Sequence, residues 1–271
     1  MSGTPPTTLN EMLEDYLLRT DLRTSTAKWY RSIIKVFCIW YGAADVPADK
    51  ITTEVVNRFL REKQEEGKSS YYRKGLRSAL RSIGGEELLG RGLRKVKLEP
   101  MSVRSWTADE IGSLIKACGV LPIDWQPYFR KIIAVAYHTG LSQIDLHRLT
   151  PEHIDKQGVV RIRRSKTRQD VICQMPLELL KQLPQVKGRY FPERASGEMF
   201  RRHFRRVVKA AGLKGSFKKI RSSSGTAAEL LNGKGHEHLA NTRKIFEQHY
   251  MDRHRIERVP TALTLPTMTS W

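Results

Sequence analysis

Lysines, an arginine and a tyrosine near the C-terminal end carry the chemistry this chain could do. Lys218-Lys219-Ile220-Arg221 opens a run of small residues, Ser222-Ser223-Ser224-Gly225-Thr226-Ala227-Ala228, and Tyr250 lies twenty-nine positions beyond Arg221, past Leu239-Ala240-Asn241. From Arg201 through Arg202, Arg205, Arg206, Lys209, Lys214, Lys218 and Lys219 to Arg221, nine bases follow one another with no acid between them. Arg201, Arg205 and Lys209 recur at four-residue spacing on one helical face, while Phe204, Val207 and Val208 supply a core face. A solvated face would normally interleave glutamate to relieve the repulsion; this one suits phosphate. Breaking a phosphodiester without a metal needs a nucleophile, positive charge against the non-bridging oxygens and a proton for the departing oxygen. A phenolate is both nucleophile and competent leaving group, which makes the step reversible and ATP unnecessary. Arginine holds a phosphate through its fork of donors better than lysine does.

Composition agrees with a polyanionic partner. The 271 residues carry a net charge of +20 and a pI near 10.1, which creates a long-range field attractive to nucleic acid. The chain is long enough for two modest cores, and its 39% hydrophobic content leaves nothing that reads as disordered. Cys38, Cys118 and Cys173 are odd in number, widely spaced and set among apolar residues, so they read as reduced, buried thiols and not as disulfides or zinc ligands. His236 and His238 lack acidic or cysteine partners, and no metal or cofactor is expected. The first residues have no apolar signal core and no run of about 18 apolar residues occurs, so the expectation is a soluble intracellular protein without a membrane partner.

The elements that must position these residues are mostly helical. Leu9, Met12, Leu13, Tyr16 and Leu17 recur at three- and four-residue spacing, as do Tyr30, Ile33, Ile34, Phe37 and Trp40. Thr52 or Thr53 caps a third helix with Val55, Val56, Phe59 and Leu60, ended by Gly67. A fourth runs from Ser69 to about Ile83, with Tyr72, Leu76, Ala79 and Leu80 inward and Arg73, Lys74, Arg77 and Arg81 outward as a basic, DNA-facing surface. Gly84 to Pro100, with four glycines and alternating charge, reads as a turn and a linker. Thr107-Ala108-Asp109-Glu110 has the form of a capping box. Tyr128 to Thr139 is an apolar helix, and Leu141 to Leu149 another with Ile144, Leu146 and Leu149 buried. Val159–Arg163 and Asp170–Met175 are short β-rich runs joined by a basic turn, Ser165-Lys166-Thr167-Arg168-Gln169. Helices return from Pro176 to Tyr250. The expected fold is mainly α with a small antiparallel sheet: residues 7–84 as a helical bundle with a basic face, 85–103 as linker, 104–256 as a second domain and 257–271 as a tail.

In their order and spacing these motifs resemble the tyrosine recombinases, or phage-type integrases, which cut and rejoin DNA through a covalent phosphotyrosine. Thr139-Gly140-Leu141 with Asp145-Leu146 is similar to the family's first box, where the residue after the leucine is the first catalytic arginine; here it is Ser142. Ser165-Lys166-Thr167 resembles the active-site lysine turn, which implies Lys166 as general acid. The second box, usually His, two variable residues and Arg, matches Lys218 and Arg221. Leu239-Ala240-Asn241 matches a Leu-Gly-His element and puts Asn241 where histidine or tryptophan is usual. His236 stands fourteen positions before Tyr250, longer than the family's spacing, and is set aside. Tyr250 matches the nucleophile. The N-terminal bundle, with Thr26, Tyr30, Phe37 and Trp40, resembles the family's SAM-like core-binding domain.

The resemblance implies site-specific recombination or integration on double-stranded DNA, by a homo-oligomer of two to four protomers. Lys218 and Asn241 would bond the phosphate or position Tyr250, and Arg201, Arg202, Arg205 and Lys219 would meet the DNA backbone. The tail with Val259, Leu263, Leu265, Met268 and Trp271 would dock on a neighbouring protomer. Replacing a guanidinium by the Ser142 hydroxyl removes a full charge from the transition state and implies an attenuated enzyme. Arg148, Arg163 and Arg164 are near enough in sequence to replace it, and the sequence does not choose among them. The competing reading is a DNA-binding protein that keeps the fold and has lost strand cleavage.

Overall fold

The computed structural model describes residues 7–90, 92–99, 102–193 and 197–256, and it divides the chain into two compact units that meet in sequence at residues 100 and 101. The proposed docking tail falls outside the described residues.

The first unit is a helical bundle: α1 (Leu9–Arg19), α2 (Thr24–Tyr41), α3 (Thr53–Glu65) and α4 (Ser70–Leu89). The hydroxyls of Thr8, Thr52 and Ser69 each accept an amide of the first turn of α1, α3 and α4, satisfying donors that the helix leaves unpaired. Leu9, Met12 and Leu13 from α1, Ile33, Ile34 and Phe37 from α2, Val56, Phe59 and Leu60 from α3 and Leu76, Ala79 and Leu80 from α4 form one core, with Phe37 edge-on to Phe59 at 5.1 Å between ring centres. The helical periodicities place these residues as expected.

Three expectations for this unit are corrected. Helix α4 does not end at Ile83; it passes a kink at Gly85, whose φ of +67° a residue with a side chain would rarely adopt, and continues to Leu89. Leu89 and Leu93, in the stretch read as turn and linker, are buried in the first core. Finally, Tyr72 is exposed and Arg73 is buried. Arg73 turns back to give hydrogen bonds to the Gln64 side chain at 2.5 Å and the Lys68 carbonyl at 3.2 Å. Arg77 is likewise committed to the carbonyls of Leu93 and Arg94, and Arg81 pairs with Glu86 at 2.9 Å, so Lys74 is the member of the quartet whose charge faces outward without such a bond.

The second unit is built around α6 (Gln126–Thr139), whose residues from Phe129 to Ala136 are nearly all buried except the solvent-side Arg130 and Lys131. Around it pack α5 (Ala108–Ala117), opened by the full Thr107–Glu110 capping box, and α10 (Lys218–Asn232). Strands β1 (Val159–Arg163) and β2 (Asp170–Gln174) pair antiparallel from Val159 opposite Gln174 to Arg163 opposite Asp170, burying Val160, Ile162, Val171 and Cys173. α7 (Gln143–Leu146) is shorter than expected, and Ile144 points outward, 55% exposed, while Asp145, Leu146 and Leu149 are buried. α8 (Leu177–Gln182) and α9 (Gly197–Ala210) lead to α10, and α11 (Gly235–His238), α12 (Arg243–His249) and α13 (Arg253–Ile256) complete the described chain. All three cysteines are buried free thiols. No helix among the described residues is long and apolar enough to cross a membrane.

Candidate active site

The site forms where the start of α10 meets the turn after α11. The first seven buried positions of α10 from Ile220 include Ser222, Ser223, Ser224, Gly225 and Thr226, and these small residues let neighbouring chain approach closely. A Cβ at Gly225 would lie 2.6 Å from Leu239, and one at Gly235 would stand against the Gly225 carbonyl oxygen and 2.5 Å from Phe246. That close packing seats α11 and α12 on α10. Thr242 caps α12 by accepting the amide of Ile245 at 3.3 Å, and Phe246 is fully buried beneath it. Tyr250 follows as the helix ends, with its amide bonded to the Phe246 carbonyl at 2.9 Å.

Segment 250–252 is pinned from both sides. Thr226 Oγ1 donates to the Tyr250 carbonyl at 3.3 Å and accepts the Asp252 amide at 3.1 Å. Asp252, 4% exposed, accepts both the amide and the hydroxyl of Ser105, at 2.7 and 3.0 Å. Sequence reasoning missed Asp252; the local signal was an aspartate three residues before Arg255, whose amide it accepts at 3.3 Å at the start of α13, while its bonds to Ser105 span 147 residues.

Arg221 is the centre of the cluster. Its guanidinium is 4% exposed, donates to the Gly140 carbonyl and, at 2.6 Å, to the Leu239 carbonyl, and stands 5.2 Å from the Tyr250 ring centre. Burial, and then the neighbouring Arg164, lower its pKa to about 10. Gly140 caps α6 at φ +62°, and a Cβ there would lie 2.5 Å from Leu239, so a glycine is required for this carbonyl to reach the guanidinium. Lys218 Nζ lies 5.6 Å from the Tyr250 ring centre on the exposed side. Burial raises the pKa of the Tyr250 phenol, but Arg221, by charge and by hydrogen bond, and then Lys218 and Arg164 outweigh it, and the net shift is downward.

The other expected residues divide. Asn241 belongs to the cluster, since its amide oxygen accepts Arg164 Nη1 at 3.2 Å. Ser142 is turned to Asp145: its hydroxyl donates to Oδ2 at 2.6 Å, while Oδ1 accepts the Ser165 amide at 2.8 Å, which ties the first box to the lysine turn. Lys166 is exposed on that turn, outside the hydrogen-bonded cluster. The face formed by Arg201 and Arg205 is less positive than expected, because both bond Glu198, one turn before Arg201 and two before Arg205, at 2.7 Å. Arg202 is exposed, and Lys219 lies over the Trp106 ring at 4.9 Å with its Nζ on the Lys214 carbonyl.

Arg164 was one of three arginines the sequence could not separate, and the structure separates them. Strand parity is the signal that could have found it: Val160 and Ile162 face inward, and the next inward position is 164. His138 was not singled out in the sequence, and His238 was weighed there only as a metal ligand. Both lie beside the Gly140 turn, with burial lowering each pKa to about 4, and His238 Nε2 is 2.7 Å from the Ser224 hydroxyl. The arrangement can do one thing well: hold a small oxyanion against a phenol.

The whole chain resembles solved integrase and recombinase structures. A lambda integrase (75–356) dimer bound to a COC' core site superposes with a TM-score of 0.74 at 22% identity, covering 97% of this chain and all of that one. The XerH site-specific recombinase in a post-cleavage complex with difH substrate gives 0.67 at 13%, over 92% and 83% of the two chains. The Tn1549 transposon integrase (82–397) bound to circular intermediate DNA gives 0.65 at 14%, over 94% and 100%. No family model and no curated protein matches the sequence. The fold is therefore the one these integrases share, mainly α with a small antiparallel sheet.

Proposed function

We propose that this chain is a tyrosine recombinase that cleaves and rejoins duplex DNA at specific sites through a 3′-phosphotyrosyl intermediate on Tyr250. The observation that carries the reading is the phenol itself, set at the end of α12 against a buried arginine and beside Lys218, with its pKa lowered. In the reaction the Tyr250 oxygen bonds to phosphorus as the bond to the 5′ oxygen breaks. The phenolic proton leaves to water, and Lys166, on its exposed turn, gives a proton to the departing oxygen. Arg221 holds one non-bridging oxygen, and Asn241 and Lys218 orient the phosphate and the phenol. Reversal of the same steps with a new 5′ hydroxyl reseals the strand.

Residues 7–84 would grip the duplex as a core-binding bundle and 104–256 would act as the catalytic domain. The similar lambda integrase is found as a dimer on a core site and as a tetramer on a Holliday junction, and assembly of two to four protomers on DNA is the corresponding expectation here. A second reading, a DNA binder without cleavage, draws on Ser142, whose hydroxyl is directed to Asp145 and places no positive charge at the first-box position.

The deciding experiment selects binding sites for the full chain from random duplex DNA, places a nick beside each possible scissile phosphate and looks for a covalent adduct on denaturing gels. A Tyr250-dependent adduct supports the recombinase. Tight, salt-sensitive binding with no adduct from either the wild type or Ser142→Arg supports the second reading.

A further inference from the structure

Two arginine side chains share one carbonyl in the interior of the second unit. The Leu239 carbonyl accepts Arg221 Nη2 at 2.6 Å and Arg164 Nη1 at 3.3 Å, and Arg164 also reaches the Ala240 carbonyl and the Asn241 side-chain oxygen, each at 3.2 Å. Arg164 is 6% exposed and Arg221 4%. Neither Nε has a hydrogen-bond partner, although both are buried, and the same is true of Asn241 Nδ2, whose amide oxygen Arg164 occupies. All three unmet groups are donors.

Buried like charges with open N–H groups are costly unless an anion completes them. The nearest buried carboxylate does not bond them: Asp145 receives the Ser142 hydroxyl and the Ser165 amide, and its ion-pair partner is Arg148 at 3.7 Å. What the three donors lack is a compact group with several acceptor oxygens and negative charge. A phosphodiester is such a group, and the Tyr250 ring centre lies 5.2 Å from the Arg221 guanidinium.

We propose that Arg164 is a catalytic residue, the second guanidinium on the scissile phosphate, in place of the charge that the first box lacks at Ser142. The inference rests on the recombinase reading. Arg148 and Arg163 do not compete for the role. Arg163 bonds the Arg168 carbonyl on the exposed side of the hairpin, and Arg148, 41% exposed, bonds the Arg163 carbonyl. Asp145 then acquires a purpose: through the Ser165 amide it fixes the chain immediately after Arg164. The backbone of the loop closes around that residue, with the Arg164 amide on the Gln169 carbonyl at 2.9 Å and the Arg168 amide on the Arg164 carbonyl at 3.1 Å.

Single-turnover cleavage of nicked site DNA by the full chain tests this, comparing wild type, Arg164→Gln, Arg164→Lys and the double variant Arg164→Gln/Ser142→Arg. Arg164→Gln should lower the cleavage rate by about 10² to 10³ while leaving duplex affinity near that of the wild type. On a methylphosphonate substrate, which lacks the charge of one non-bridging oxygen, the deficit should shrink to within about tenfold, and Ser142→Arg should restore activity on ordinary phosphate. Wild-type rates in Arg164→Gln, or a loss that neither change relieves in both the Gln and Lys variants, would overturn the proposal and leave the recombinase reading standing. Calorimetric binding of orthovanadate separates the two claims if the wild type forms no adduct. Vanadate binding that Arg164→Gln abolishes would keep the paired-arginine anion site while the cleavage reading fails; binding that ignores Arg164 would sink the pair.

Discussion

The Ser142 hydroxyl donates to Asp145 Oδ2 at 2.6 Å, and the other oxygen of that carboxylate accepts the Ser165 amide at 2.8 Å. One buried carboxylate, 1% exposed, thus joins the residue that replaces the first-box arginine to the turn that carries Arg164 and Lys166. The serine hydrogen is committed to the scaffold and is not offered to a substrate.

Removing that carboxylate should cost both stability and order in the turn. Asp145→Ala leaves the Ser165 amide and the Ser142 hydroxyl without their partner, and a loss of about 2–4 kcal/mol is expected in chemical denaturation. Amide exchange across residues 164–169 should quicken beyond the change in the rest of the second unit. Unchanged exchange there would show that the hairpin holds itself.

The Tyr250 phenol should titrate below the usual 10 in the folded protein, because Arg221 and the two other cations outweigh its burial. Ultraviolet difference titration of the wild type against Tyr250→Phe isolates this group. Replacing Arg221 by glutamine should move the midpoint upward, and a midpoint indifferent to Arg221 would contradict the geometry.

Ala240 sits at φ +45°, in the left-handed region that glycine tolerates better, in the turn whose carbonyls bind both arginines. Ala240→Gly should therefore stabilise the protein by about 1 kcal/mol, relief of backbone strain exceeding the extra entropy of glycine in the unfolded chain. A destabilised variant in thermal melts would mean that the methyl group contributes packing.

The Gly225–Gly235 contact should tolerate no side chain. Gly235→Ala sets a methyl against the Gly225 carbonyl and Phe246, and a loss of about 1–3 kcal/mol is expected from overpacking. Gly233→Ala is the control, with a positive φ and open space around its Cβ position, and should cost only the backbone strain, about 1 kcal/mol. Equal losses from the two would deny that close approach is what seats α11.

His138 and His238 are held neutral by burial, each with a folded pKa lowered to about 4 from an ordinary 6.5. Below 6.5 the unfolded chain takes up protons that the folded chain refuses, so their contribution is complete above pH 6.5 and is lost as the pH falls toward 4. The loss is at most on the order of 3 to 3.5 kcal/mol for each group. Denaturant midpoints for His138→Gln/His238→Gln should depend less on pH across that window than those of the wild type, and parallel curves would refute the assignment.

Much of this molecule is legible in its sequence because local rules decide it. The apolar spacing of Leu9 to Leu13 and Tyr30 to Phe37, the caps at Thr52 and Thr107 and the alternation through β1 and β2 each answer to backbone geometry within a few residues, and all are found as read. Arg221 and Tyr250, singled out by their order and spacing, do stand together, while Lys166 lies outside their hydrogen-bonded cluster. The sequence could not decide which face of a short element meets a neighbour. Ile144 turns out and Asp145 in, Arg73 folds back onto Gln64, and the helix crosses Gly84-Gly85 because Leu89 finds a place in the core. Strand parity alone turns Arg164 inward, but what it meets there, the carbonyls of Leu239 and Ala240, lies 75 and 76 residues further along the chain, and the Gly140 carbonyl that Arg221 bonds lies 81 residues before it. Charge and periodicity are properties of a segment, whereas an open donor on a buried guanidinium exists only once distant segments have closed around it.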